Sequence, residues 1–152
     1  MKLTGQIAAH LRQLHFGGSW TSTSLTEKLS DVTWKQATTQ VDSLHTIAAL
    51  VYHMNYFVDA TIKVLQGEPL EAREKLSFDH PPIQSQQDWE QLLDKTYSDA
   101  ETLAGLIEQM PESQLWDPFI REEYGNYYRC LHGPIEHAYY HLGQIALIKS
   151  LL

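Results

Sequence analysis

The chain has 152 residues, a hydrophobic content of 43% and a formal net charge of -8 at pH 7, which fits one folded domain with a single core. Its 11 basic residues are scattered rather than clustered, so nucleic acid is not expected as a partner. The single cysteine excludes an intramolecular disulfide, and the N-terminus lacks the apolar run of a signal peptide, so we expect a cytoplasmic protein.

The N-terminal quarter of the sequence predicts one helix and a long connection. Apolar residues recur at helical spacing from Leu3 to Leu14, and the Gly17-Gly18 pair marks a stop. Residues 19 to 43 are rich in Ser and Thr and contain two candidate helical turns, around Leu25 to Leu29 and around Trp34 to Ala37. We expect this segment to cross the bundle.

A second helix is predicted from Leu44 to Leu65, where apolar residues form two neighbouring seven-residue stripes. This is the longest apolar stretch of the chain, yet it contains His53, Asp59 and Lys63, which are costly at membrane depth. We therefore expect a central helix of a soluble protein and no contact with a membrane.

Two further helices are predicted in the C-terminal half. Ser85 resembles the cap of a third helix, which should end near Met110-Pro111. The fourth pattern runs from Leu131 to Leu152 and contains Pro134, so this helix either begins near Gly133 or kinks there. Both alternatives leave the last part of the chain helical.

The predicted fold class is all-α. No segment shows sustained strand alternation, apart from a short extended piece expected at residues 121 to 127. Four long helices without an internal repeat predict a four-helix bundle formed by residues 1–152 as a single domain. The two long connections favour a crossover topology over short turns.

The candidate site consists of three histidines. His137 and His141 lie one helical turn apart on a face that continues into apolar residues, and His53 lies on the apolar surface of the second helix. Two interpretations remain open. Each histidine could be an ordinary core residue with its own hydrogen bond, or one metal ion could satisfy all three.

The other five histidines are left out of the site. His45 is about 12 Å along the helix axis from His53, too far to share an ion, and His132 points away from His137. The remaining three have no partner pattern and are expected to be ordinary surface or loop residues: His10, His15 and His80.

Two segments resemble the DinB superfamily, also called DinB/YfiT-like putative metalloenzymes. They are residues 44 to 54, from Leu44 to Met54, and the His-x3-His-x-Gly-Gln element at residues 137 to 144. The resemblance implies an up-down-down-up four-helix bundle, commonly a homodimer, with a divalent metal held by His53, His137 and His141. Activities known in the superfamily include thiol-dependent transferases and isomerases that use bacillithiol or mycothiol.

Three neutral imidazoles would leave a metal ion its full charge and a free coordination position, as in catalytic sites. Such an ion lowers the pKa of a bound water or thiol and so produces a nucleophile. Gln144 and Tyr140 are candidates for supporting hydrogen bonds. Ala49 should leave space beside the site, and Tyr56 with Phe57 could form a wall.

The leading hypothesis is a metal-dependent enzyme of the thiol S-transferase or hydrolase kind that acts on a small molecule, with a low-molecular-weight thiol as a candidate second substrate. No catalytic residue is assigned beyond the metal ligands. Zinc or nickel is the favoured ion, and iron and copper also suit imidazole. The alternative is a helical bundle that binds a metal or small ligand without catalysis, as a sensor or for stability.

Overall fold

The computed structural model describes all 152 residues, and its only regular elements are helices. Four are long, and α2 and α3 are short. Their bounds are Leu3–Phe16 (α1), Leu25–Leu29 (α2), Trp34–Ala37 (α3), Ile47–Leu65 (α4), Gln86–Gln109 (α5) and Tyr127–Leu151 (α6). The all-α class and both short turns in the first connection are confirmed.

Local chemistry explains where these helices begin and end. Gly17 has φ 116° at the end of α1, a conformation that side chains with a Cβ rarely adopt. The first turns of three long helices are capped by side-chain oxygens that accept a backbone N–H: Thr46 for α4, Ser85 for α5 and Asn126 for α6. These caps satisfy backbone donors that a helix leaves unpaired.

Three details differ from the sequence prediction. Helix α4 begins at Ile47, because Thr46 caps it, so Leu44 is 44% exposed outside the helix. Helix α6 begins at Tyr127 and continues through Pro134, so the alternative of a start near Gly133 is wrong. Residues 121 to 127 contain a short 3₁₀ helix, Glu122–Tyr124, and only one isolated bridge, between Pro118 and Asn126.

The four long helices pack in a ring around one core, with α1 against α5, α5 against α4, α4 against α6 and α6 against α1. The connection between α1 and α4 is fixed to this core by Trp89. Its ring is fully buried, and its Nε1–H donates to the Val32 carbonyl at 2.9 Å. None of the helices combines the length and apolar character that a membrane span requires.

The segment between α4 and α5 matters most for the site. It contains a 3₁₀ helix, Glu74–Leu76, followed directly by Ser77, which is fully buried. This turn brings Ser77 and Phe78 against the middle of α4. The packing of α4 on α6 brings His53 to the two histidines of α6.

Candidate functional site

Three histidines meet between α4 and α6. The Nε2 atom of His137 lies 2.9 Å from Nε2 of His53 and 3.0 Å from Nε2 of His141. The three available ligand atoms all lie within 4.8 Å of one another. His53 and His141 are buried, whereas His137 is partly exposed. The residues that the sequence singled out are therefore brought together by the fold.

A chain of hydrogen bonds fixes the tautomer of His53. The Ser77 hydroxyl donates to the Glu74 carbonyl at 2.7 Å, so its oxygen remains to accept from the ring. Nδ1 of His53 lies 2.8 Å from that oxygen and must carry the proton. Nε2 of His53 consequently presents a bare lone pair to the other two histidines.

His141 is held in the same way. Its Nδ1 lies 2.6 Å from Oε1 of Gln144, a carbonyl oxygen that can only accept. The proton of His141 is therefore on Nδ1, and its Nε2 is a second bare lone pair. The amide nitrogen of Gln144 donates to the Tyr140 hydroxyl at 3.5 Å, so Tyr140 supports the site only through Gln144.

Aromatic rings enclose the cluster. Phe78 stacks on His53 with ring centres 3.8 Å apart and stacks on His45 with its other face at 4.0 Å. Phe57 places its ring nearly perpendicular to both His53 and His137. Phe57 therefore forms the expected wall. Tyr56 does not, because its hydroxyl accepts from the backbone N–H of Arg73 in the connection.

The surroundings keep His53 and His137 neutral. Burial is the largest cause that lowers the pKa of His53 to about 4, and the neighbouring His137, His141 and His45 contribute to the same shift. Burial, followed by the charge of His141, lowers the pKa of His137 to about 4. Both rings are therefore unprotonated at pH 7, which is the state that binds metal.

The donor set fits a metal ion. Two bare lone pairs face Nε2 of His137, and a neutral His137 has a single proton to offer them. A cation at the centre would satisfy all three nitrogens. Zinc–nitrogen bonds of about 2.0 to 2.1 Å in tetrahedral geometry would place the nitrogens roughly 3.3 Å apart. The two separations that involve His137, 2.9 and 3.0 Å, would need to open by a few tenths of an ångström. The third pair, His53 with His141, lies within 4.8 Å and would need to approach the same value.

The remaining histidines lie elsewhere. His132 packs against Tyr128 and His10, and His80 bonds to the neighbouring Pro81 carbonyl. His45 precedes the Thr46 cap of α4 and is exposed.

The expectation for His15 was wrong. It is only 2% exposed on α1, and its Nδ1–H donates to the Leu11 carbonyl at 2.9 Å. The hydrogen-bond partner of His15 is the backbone carbonyl four residues earlier. Every residue inside a helix has such a carbonyl, so this partner cannot be recognised from the sequence. The sequence therefore carries no mark of this burial beyond the position of His15 next to Leu14, on the apolar face.

The sequence analysis missed Ser77 and Phe78. Both lie in the connection between α4 and α5, which has no apolar periodicity to place its side chains. The only signal was an aromatic residue next to a hydroxyl residue in an otherwise polar, proline-containing segment. That pattern is too common to indicate contact with a histidine.

One of three comparisons with known proteins gave a match. The model of the DinB superfamily matches residues 20–145, which include all three histidines as well as Ser77 and Gln144. Neither the curated proteins nor the solved structures gave a match. The family match covers most of the chain, and the chain belongs to the DinB superfamily.

Proposed function

We propose that the protein is a metal-dependent enzyme of the thiol S-transferase or hydrolase kind, with His53, His137 and His141 as the metal ligands. The observation that carries the proposal is the meeting of the three Nε2 atoms, two of them with protons fixed on the opposite nitrogen. A core histidine pair needs only one hydrogen bond each. It does not need three ring nitrogens brought together at one place, two of them with bare lone pairs.

The ion would act as a Lewis acid that lowers the pKa of a bound water or thiol toward neutrality. The protein residues have separate tasks. Three neutral ligands leave the site its positive charge, and Ser77 and Gln144 hold two rings in the required orientation. Phe57 and Phe78 exclude water from the faces of His53. His137, the most exposed of the three, marks the side from which a substrate can approach.

Zinc and nickel are the ions that we favour, and a low-molecular-weight thiol is the proposed second substrate. Three imidazoles suit zinc, nickel, copper and iron, so the ligand set alone does not select among them. An open fourth position on a three-histidine zinc site is the arrangement of catalytic rather than structural zinc.

A second candidate function is a bundle that binds a metal without catalysis. It is favoured by the contacts of the cluster, because the site imidazoles bond only to one another, Ser77 and Gln144. No carboxylate is among these partners, and the Ser77 hydroxyl donates to the Glu74 carbonyl rather than to a histidine, so no histidine activates it as a nucleophile. A catalytic reaction would therefore depend on the ion and its bound water or thiol.

We further propose the up-down-down-up topology. Contacts support antiparallel packing of α1 with α5 and of α4 with α6, and parallel packing of α1 with α6. The pairs that support these directions are Leu3 with Glu112, Phe16 with Tyr97, His53 with His141, Phe57 with His137, Leu3 with Tyr128 and His10 with Tyr139.

The proposal is tested on protein purified without a histidine tag or nickel resin. Elemental analysis should find about one ion per chain, and His137→Ala should lose both the ion and turnover with a thiol and an electrophilic or hydrolysable substrate. His132→Ala is the matched control, because it lies on the same helix away from the site. Full turnover in His137→Ala would exclude the metal as catalyst, and bound metal without turnover would favour the second candidate.

A further inference from the structure

An open groove of about 630 Å³ lies beside the histidine cluster, between α4, α6 and the connections that flank them. Most of its wall is apolar, with Phe57, Leu70, Phe119 and Pro134 among the lining residues. A volume of this size is within the range of small-molecule sites. It is not a closed cavity of the core, so a ligand can enter from solvent.

The groove is continuous with the candidate metal site. His137 lines the groove and also contributes its Nε2 to the cluster. Phe57 is shared as well, because its ring lies against His53 and His137. A molecule that fills the groove therefore has one end at the exposed side of the cluster.

Glu74 is the only lining residue that carries a charge at neutral pH. It is exposed and forms no ion pair with a lysine or arginine of the chain. An anionic group in the groove would therefore meet an unbalanced carboxylate, whereas a cationic group would be attracted to it.

Cys130 is part of the apolar wall of the groove and does not act as a nucleophile. Its Sγ–H donates to the Tyr124 carbonyl at 3.1 Å, and burial raises the pKa of the thiol. At neutral pH the thiol stays protonated, which is its unreactive form.

We propose that this groove binds the body of the substrate, and that the substrate is an apolar alkyl or aryl molecule, uncharged or cationic, whose reacting atom lies at the histidine cluster. The inference rests on the proposed function, since it adds a substrate class to the same site. The apolar wall of the groove provides the affinity for the substrate. His137 determines which end of the substrate lies at the histidine cluster, and Glu74 repels anionic groups elsewhere in the groove.

The test uses zinc-loaded protein and simple thiols whose sulfur can bind the ion. Mercaptoethanol has a short tail, and mercaptohexanol has a longer uncharged one. Aminohexanethiol and mercaptohexanoate carry opposite charges on tails of the same length. Calorimetry should find mercaptohexanol at least about tenfold tighter than mercaptoethanol, because each buried methylene strengthens binding by roughly three- to fourfold. Aminohexanethiol should bind more tightly than mercaptohexanoate.

Two variants assign these preferences to the groove. Gly133 lines the groove, and a Cβ added there meets no atom within 4 Å, so Gly133→Leu fills the groove without a backbone clash. It should abolish the advantage of the long tail. Gly105→Leu on α5 is the matched control, because its Cβ also meets nothing within 4 Å. Glu74→Lys should reverse the order of the cationic and anionic thiols.

The outcomes separate this inference from the proposed function. If zinc does not bind, the proposed function fails. If zinc binds but no thiol binds the zinc-loaded protein, the thiol-transferase form of the proposed function fails and the groove proposal fails with it. If all four thiols bind alike, or if Gly133→Leu retains the long-tail advantage, the groove proposal fails while the metal site stands. If Gly133→Leu does not fold, the charge order in Glu74→Lys still decides, and an unchanged order overturns the proposal.

Discussion

At the scale of single residues, Ser77 and Gln144 determine which nitrogen of two site histidines is free. Ser77 accepts from His53, and Gln144 accepts from His141. Without such a partner, neither the tautomer nor the ring orientation of the histidine is fixed. We expect Ser77→Ala and Gln144→Ala each to weaken zinc binding by about 10- to 100-fold, measured by competition with a chelating dye. Ser98→Ala, at an exposed position on α5, should leave the affinity unchanged. Unchanged affinity in both site variants would contradict the assigned tautomers.

The site histidines should also make the metal-free protein sensitive to acid. The pKa values of His53 and His137 are lowered to about 4 in the folded protein, first by burial and then by neighbouring histidines. Free imidazole has a pKa of about 6.5. Between these values the unfolded chain binds more protons, so the free energy of unfolding should fall as the pH falls from 6.5 through 4. Burial also lowers the pKa of His15, which adds to the same trend.

Urea unfolding of the metal-free protein at pH 7, 5.5 and 4.5 measures this dependence. The double variant His53→Phe/His137→Phe should show a shallower loss of stability over the same range, because only His15 and the remaining groups still titrate. An equal slope in the variant and the parent would mean that these two rings are not held neutral by the fold. Zinc affinity of the folded protein should fall as the pH approaches 4, where the rings of His53 and His137 take up protons and the bound form requires them unprotonated.

The three ligand candidates could be predicted from the sequence because helical spacing carries the information. His137 and His141 are one turn apart, and His53 interrupts an apolar stripe. The partners Ser77 and Phe78 could not, since a connection without periodicity does not indicate which way its side chains point. The role of Gln144 could also be predicted from helical spacing, because Gln144 lies three residues after His141.

At the scale of elements, Gly143 belongs to the His-x3-His-x-Gly-Gln element, but the packing of α6 does not require a glycine at this position. It lies inside α6, is exposed, and a Cβ added there meets nothing within 4 Å. Glycine in a helix interior costs about 0.8 to 1.0 kcal/mol relative to alanine. We expect Gly143→Ala to raise the free energy of unfolding by about that amount in urea titrations. A loss of stability would show that the backbone at Gly143 is needed in a form that alanine does not allow.

The helix bounds show where sequence patterns succeed and fail. The third helix was predicted well because Ser85 offers a specific capping oxygen at its start. The start of α4 was placed too early, because the apolar Leu44 continues the stripe although Thr46 caps the helix. Pro134 was taken as a start or a kink, but the Asn126 cap and the buried Leu131 extend α6 before it. Packing against the core therefore outweighed the cost of an internal proline.

At the scale of the whole molecule, the sequence predicted the number of long helices but not how the connections serve the site. No functional role was predicted for the segment between α4 and α5. In the structure it supplies the hydrogen bond to His53 and part of the groove wall. The folded path of such a segment depends on contacts with α4 and α6 that are distant in the chain, and single-sequence patterns do not encode them.

The last prediction concerns assembly. The resemblance to the DinB superfamily implies a homodimer. The residues of the two stripes that lie in α4 are buried or partly buried within the chain, whereas α6 exposes three large side chains at helical spacing: Tyr140 at 66%, Leu147 at 68% and Leu151 at 64%. Exposed apolar faces of this kind mark contacts between proteins.

We therefore propose that two copies pair through this face of α6. Sedimentation at micromolar concentrations should give twice the 17.5 kDa of one chain. Leu147→Glu should shift the protein to the monomer without changing its helix content, because a charge placed in an apolar interface loses its hydration. Leu76→Glu, at an exposed leucine in the connection between α4 and α5, is the control and should remain dimeric. A parent protein that sediments as one chain would exclude the dimer, and a dimer insensitive to Leu147→Glu would place the interface on another surface.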